Sequence, residues 1–161
     1  AHSGMKKRIF EIECPHCHHK FMMLRDTYLI KDPSTEEYSH LKDQTFFVHH
    51  CQNCKKLFDL SYPLLYWDPQ KDFSIVLTQK KEVTNLDSKK SILCRRPAQF
   101  LFAFQCMDLG LDLKQMLRLR KKAEDRLDRK LNLIDWDEKK QAALLKSGND
   151  YFWVVYEDKN E

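Results

Sequence analysis

Glycine is almost missing from this chain, with only Gly4, Gly110 and Gly148 among 161 residues. A phosphate cradle needs clustered glycines so that backbone N–H groups can close on the ligand, and glycines this scattered cannot build one. A Gly-x-Ser-x-Gly elbow and a His-Glu-x-x-His helix are absent too, and with them the commonest signatures of serine hydrolases and zinc proteases. The expectation is therefore a protein that is not an enzyme. No stretch approaches the roughly 20 apolar residues that span a bilayer, and no secretory or lipidation signal is visible, so a soluble, cytoplasmic protein without a membrane partner is expected. An excess of one charge is also lacking. Fourteen Lys/Arg face twelve Asp/Glu between Met5 and Ser91, and the same counts recur between Ile92 and Glu161. Neither half has the strong basic excess of a nucleic-acid-binding domain.

What is present is ordinary core material and an unusual set of cysteines. The 42% hydrophobic and 12% aromatic content supports a packed interior, and 161 residues leave room for one compact domain or two small ones. Residues 1–4, Ala1-His2-Ser3-Gly4 ahead of Met5, read as a cloning remnant. Two Cys-x-x-Cys pairs, Cys14-Pro15-His16-Cys17 and Cys51-Gln52-Asn53-Cys54, stand far apart in the chain. A two-residue gap turns both sulfurs of a pair to one side, and two such pairs can complete a tetrahedron about a single ion. The expected ligands are Cys14, Cys17, Cys51 and Cys54, and the expected cofactor is one structural Zn²⁺. Four protein sulfurs leave no coordination position for water or substrate, which favours a staple over a catalytic metal.

Other readings of the same cysteines stay open. Iron in a rubredoxin-like tetrathiolate uses the same ligand set. Two disulfides would suit an oxidising compartment, and isolated redox pairs would need a following helix in a βαβ unit, which the flanks do not suggest. His16, His18, His19, His49 and His50 lie beside the cysteines, and any of them could replace a thiolate. Cys94 and Cys106 are solitary thiols. Cys106 falls in an apolar run and reads as core, whereas Arg95 and Arg96 could lower the pKa of Cys94 and make it reactive.

Hydrophobic spacing predicts a β-rich first half and a helical second half. Arg8–Glu13 alternates into the first cysteine pair and Lys20–Leu24 leaves it, while Thr45–His50 and Leu57–Ser61 do the same at the second. Ser34-Thr35-Glu36-Glu37 has the composition of a helix start or a loop. Tyr62, Tyr66 and Trp67 read as core, Asp68-Pro69 as a turn, and Phe73–Thr78 as a strand. Residues 79–90 are polar and aperiodic, as in a linker or excursion. Pro97 suits a first helical turn, Gly110 a stop, and Asp112 the cap of a helix with Leu113, Met116, Leu117, Ala123, Leu127 and Leu131 as its apolar positions. A third helix is predicted over Asp135–Lys146. Tyr151–Tyr156 reads as a strand that packs back on the first half or pairs with another chain. The cluster Arg118, Arg120, Lys121, Lys122 precedes Glu124, Asp125 and Asp128 and reads as a solvated helix face with i,i+4 ion pairs.

The two cysteine pairs, together with Tyr62-Pro63-Leu64-Leu65-Tyr66-Trp67-Asp68-Pro69 and Asp108-Leu109-Gly110-Leu111-Asp112, resemble the bacterial CpXC proteins, named for their first cysteine knuckle. The resemblance implies a zinc held by these four cysteines and carries no established activity. The chain departs from the family at His18 and Lys55, where Gly usually follows each knuckle, and at Trp67, where His is usual; that last change removes any histidine role there. A non-Gly residue at positive φ costs about 1 kcal/mol, against about 10 kcal/mol for a structural metal site, so the ligand set should survive.

The resulting expectation is an α+β chain: a zinc-ribbon-like antiparallel β module over residues 5–80, then a helical region with a final strand over 92–161, sharing one core or separate. The expected function is non-catalytic: the zinc-binding site supports a surface for a protein partner or self-association. The alternative is a zinc ribbon that binds nucleic acid through Lys55, Lys56, His49 and Phe58.

Overall fold

The structure, a computed structural model, describes residues 7–83 and 88–157. The tetrapeptide read as a cloning remnant lies outside the described residues. The fold is α+β, and the chain divides into two compact units between Leu101 and Phe102. No helix among the described residues is long and apolar enough to cross a membrane.

In the first unit, β1 (Lys7–Glu13) and β2 (Lys20–Asp26) form an antiparallel hairpin around the first cysteine pair, with Ile9 opposite Leu24 and Glu13 opposite Lys20. β3 (Tyr28–Ile30) follows, then α1 (Glu36–Lys42). Thr35 caps that short helix by accepting from Tyr38 N–H, and Glu36 and Glu37 sit in its first turn, so the polar connection resolves as a helix start. β4 (Val48–His50) and β5 (Leu57–Asp59) make a second hairpin around the second pair. β6 (Leu64–Asp68), β7 (Phe73–Leu77) and β8 (Lys90–Cys94) join β3 in a sheet of order β3-β6-β7-β8. This sheet is mixed: β6 and β7 are antiparallel, but β3 and β8 lie parallel to their neighbours. Every residue of β7 is buried, as a central strand covered on both faces requires. Around it Leu41, Phe47, Tyr66, Ile75 and Phe100 form an interior, with Phe47 edge-on to Tyr62 at 6.1 Å and to Phe100 at 5.6 Å.

α2 (Pro97–Asp108) begins at the expected proline. It ends in a double turn in which Gly110 N–H reaches Met107 O at 3.1 Å and Leu111 N–H reaches Cys106 O at 2.8 Å. That closure needs a left-handed residue, and Gly110 supplies it at φ 74°. Asp112 then caps α3 (Leu113–Leu127) through Gln115 N–H at 2.9 Å. In the second unit Met116, Leu119 and Ala123 of α3 join Phe102 and Cys106 against the sheet.

Two expectations for this unit are overturned. Residues 135–146 form no helix. β9 (Asn132–Asp137) and β10 (Ala142–Ser147) occupy that stretch as strands, joined by a turn in which Asp137 accepts from Lys140 N–H and Gln141 takes φ 49°. Ala142, Ala143 and Leu145 have helical propensity, but burial between neighbouring strands outweighs a few tenths of a kcal/mol per residue. The second correction concerns β11 (Asp150–Val155), whose pairing partner comes from its own unit and not from the first half; it completes a local antiparallel meander of order β11-β10-β9. A tight turn at Gly148, φ 59°, makes that pairing the nearest one available.

Gly110 offers a clean test of this geometry, because a Cβ there would meet nothing within 4 Å. Gly110→Ala is expected to lower stability by about 1–2 kcal/mol through backbone strain alone. Urea unfolding would measure it, and an unchanged midpoint would contradict the double-turn assignment.

Candidate metal centre

Each cysteine pair occupies the turn of a hairpin, and the two turns have the same hydrogen-bond pattern. At the first, Cys14 N–H donates to His19 O at 3.0 Å and His18 N–H to Cys14 O at 2.9 Å; at the second, Cys51 N–H donates to Lys56 O and Lys55 N–H to Cys51 O, both at 2.9 Å. The residue after each pair must therefore adopt the left-handed region, and His18 has φ 62° and Lys55 φ 69°. Glycine would do this without strain, but the local bonds hold the non-glycine residues in place. His18 also lies 2.9 Å from Glu13 through Nδ1, and Lys55 Nζ donates to Gln52 O at 2.6 Å.

All four sulfurs come together. The Sγ atoms of Cys14, Cys17, Cys51 and Cys54 lie within 4.8 Å of one another. Cys14 and Cys54 are 3.7 Å apart, as are Cys17 and Cys51. Ligands at about 2.3 Å from a tetrahedral ion stand about 3.8 Å apart, so these separations fit a single ion held by four sulfurs. The residues present thus fit a tetrathiolate metal site. All six cysteines are free thiols, so the disulfide reading fails, and the hairpin turns do not provide the helix that a thioredoxin-like pair precedes.

Electrostatics supports the same arrangement. The Asn53 side chain donates to Cys17 Sγ at 3.4 Å, and with the His19 backbone N–H it holds the Cys17 thiol down at about 6. Cys51 is lowered as well, first by the Cys54 backbone N–H. At Cys54 the Lys56 N–H favours the thiolate, but burial and the three neighbouring sulfurs push the thiol up to about 11. Four thiols this close titrate as one unit and cannot all ionise without a cation among them. Asn53 was not singled out from the sequence, although a side-chain donor inside a Cys-x-x-Cys turn was the available signal.

The histidines lie outside the cluster. His16 Nε2 sits 3.1 Å from Leu57 O, linking the first turn to the second hairpin. His49 stacks on Phe21 at 5.0 Å and meets Phe58 edge-on at 5.4 Å; burial, then Arg25 and His50, lowers its pKa. His49 and Phe58, which the nucleic-acid reading named, thus pack on each other and on Phe21. Among the described residues, no histidine joins the four-sulfur group.

Elsewhere, Cys94 is buried and its thiol is pushed up to about 11, so Arg95 and Arg96 do not activate it. The Arg95 guanidinium is directed to the Thr78 and Lys80 carbonyls instead. Burial likewise pushes Cys106 up to about 12. Asp68 explains its own turn: Oδ1 accepts from Gln70 and Lys71 N–H at 3.0 and 3.2 Å, while Oδ2 lies 3.6 Å from Lys31 Nζ. Trp67 Nε1 is buried with no acceptor among the described residues.

A family model described as CpXC protein matches residues 12–141, and the chain belongs to that family. No curated protein and no solved structure matches it. The matched stretch contains both cysteine turns, Asp68 and the helical pair, whereas β10 and β11 lie beyond it.

The role of Asn53 gives a measurable consequence. Asn53→Ala should weaken metal binding by about tenfold or more in chelator competition at neutral pH, as loss of an outer-shell donor does. Affinity of the unaltered chain should fall continuously as pH drops, because protons compete for the raised Cys54 thiol, and more steeply below about 6, where Cys17 takes a proton too. Equal affinity in both proteins would contradict the assigned role.

Proposed function

We propose that this CpXC-family chain is a non-catalytic zinc protein of the bacterial cytoplasm, in which a structural four-cysteine centre holds the two hairpins so that they present a surface to a protein partner. One observation carries the proposal: four sulfurs from two distant turns fit a tetrahedron completely, and a filled tetrahedron has no position for substrate. Free thiols suit a reducing compartment. When bound, zinc supplies cross-linking and charge neutralisation rather than Lewis acidity toward a substrate. The chain's own residues do the rest. Asn53 and the turn N–H groups orient the sulfurs, and His16 ties the hairpins through Leu57 O. Iron would fit the same ligands, and colour separates the two metals at once.

The interaction role is supported by apolar side chains left on one face of the first hairpin. Ile9 and Leu24 are cross-strand partners and are 65% and 57% exposed, with Met22 beside them at 64%. Apolar groups gathered in this way on a small sheet commonly mark a contact surface.

Two outcomes test the proposal. Excess chelator should lower the melting temperature markedly, because a structural site of this kind contributes about 10 kcal/mol to folding. Ile9→Glu with Leu24→Glu should abolish a stable complex, or self-association, seen for the unaltered chain at physiological salt. A metal-independent melt, or a monomer that holds no partner, would refute it.

A further inference from the structure

The last strand of the second unit borders a groove with two chemically different walls. β11 stands at the end of the order β11-β10-β9, so among the described residues one of its edges has no strand beside it. Tyr156 N–H donates to Gln141 O at 2.7 Å. Backbone direction alternates along an antiparallel strand, so Phe152 and Val154 also face β10, while Tyr151, Trp153 and Val155 turn their N–H and C=O groups toward the open edge. The side chains of those three residues are 55%, 56% and 60% exposed.

Between this edge and α3 runs a groove of about 710 Å³. Leu119 and Ala123 form its apolar floor, and Arg118, Lys122 and Arg126 stand along the helix wall. At i, i+4 and i+8 these cations share one helical face, and all three are exposed. The sequence suggested ion pairs within α3, but only Lys121 and Asp125 make one, at 3.6 Å. Glu124 turns away to accept from Leu131 N–H, Asp128 forms the left-handed end of the helix, and Arg120 lies over the Phe102 ring. Among the described residues, no carboxylate pairs with Arg118, Lys122 or Arg126. Glu157 is the only acid in the described lining.

We infer that this groove takes an extended acidic peptide segment, added to β11 as a fourth strand. An unpaired strand edge supplies main-chain donors and acceptors, and a flanking wall supplies side-chain selection. Cations four residues apart on a helix repeat about every 6.0 Å, and side chains on one face of a strand about every 6.8 Å. Alternate carboxylates of the added strand therefore come into register with the three cations, while the intervening side chains lie beside Trp153. A second copy of this chain is a poorer occupant, because pairing β11 with its twin would bring two cationic walls together. A nucleic-acid strand could meet the cations but would leave the strand edge unmatched. The inference rests on the reading of the chain as a protein-binding molecule and is independent of the metal.

The test uses the full zinc-loaded chain and a terminally blocked peptide of alternating Glu and Val. Hydrogen exchange should show saturable new protection at the amides of Tyr151, Trp153 and Val155. The triple variant Arg118→Glu, Lys122→Glu, Arg126→Glu, altered only at exposed positions, should lose about tenfold or more in affinity and prefer the Lys-Val peptide instead. Backbone N-methylation of the Glu-Val peptide should abolish binding. The inference is overturned if millimolar Glu-Val peptide gives no protection, if Lys-Val peptide binds the unaltered chain equally, if oligothymidine displaces the peptide, or if self-association protects the same amides. A protein partner that the triple variant retains would overturn this inference alone and leave the hairpin face standing.

Discussion

The two hairpins of the first unit meet where four sulfurs converge. Cys14 and Cys54 are 40 residues apart in the chain, and Cys17 and Cys51 are 34 apart, yet each couple is separated by 3.7 Å. Beside the sulfurs, Phe21 of the first hairpin stacks on His49 of the second at 5.0 Å, but both ribbons are small. β4 and β5 are three residues long, and two-stranded ribbons are marginal in water unless something clamps them. The contacts linking the turns, His16 to Leu57 O and Asn53 to Cys17, are short-range supports of the same cluster and not an independent core. A cation at this point would replace mutual repulsion of thiolates with attraction, which explains why so small a scaffold can tolerate His18 and Lys55 in the left-handed region.

The remainder of the first unit and the whole of the second are held by ordinary packing. β7 is buried along its full length, and the second unit closes α3 over a three-stranded meander through Met116, Leu119, Leu133 and Leu145. A segment built around a four-cysteine cluster that can hold a metal and a conventionally packed segment thus occur in one chain. The exposed features follow this division. The hairpins show an apolar face at Ile9, Met22 and Leu24, and the meander shows an open edge beside a row of cations. Under the proposed function both are contact surfaces.

How much of this could be read in the sequence depended on the range of the forces involved. The cysteine turns were legible because a two-residue gap determines sulfur direction locally, and the strands leading into them follow from alternation next to the turns. Pro97, Gly110 and Asp112 were equally clear, since each acts through its own backbone or its nearest N–H groups. Residues 135–146 were misread because Ala142, Ala143 and Leu145 favour a helix until β9 and β11 flank them, a decision made by non-local pairing. β8 escaped notice for a related reason: Lys90–Cys94 has weak alternation and becomes a strand by lying parallel to β7. The cationic row on α3 was visible as composition, but its neighbours' alternative partners, Phe102 for Arg120 and Leu131 N–H for Glu124, appear only in three dimensions.

X-ray absorption at the metal edge of protein purified without added metal addresses the central claim most directly. The account predicts one ion per chain with a first shell of four sulfurs at about 2.3 Å and no lighter ligand. A shell containing nitrogen or oxygen, fewer than four sulfurs, or no ion at all would contradict it.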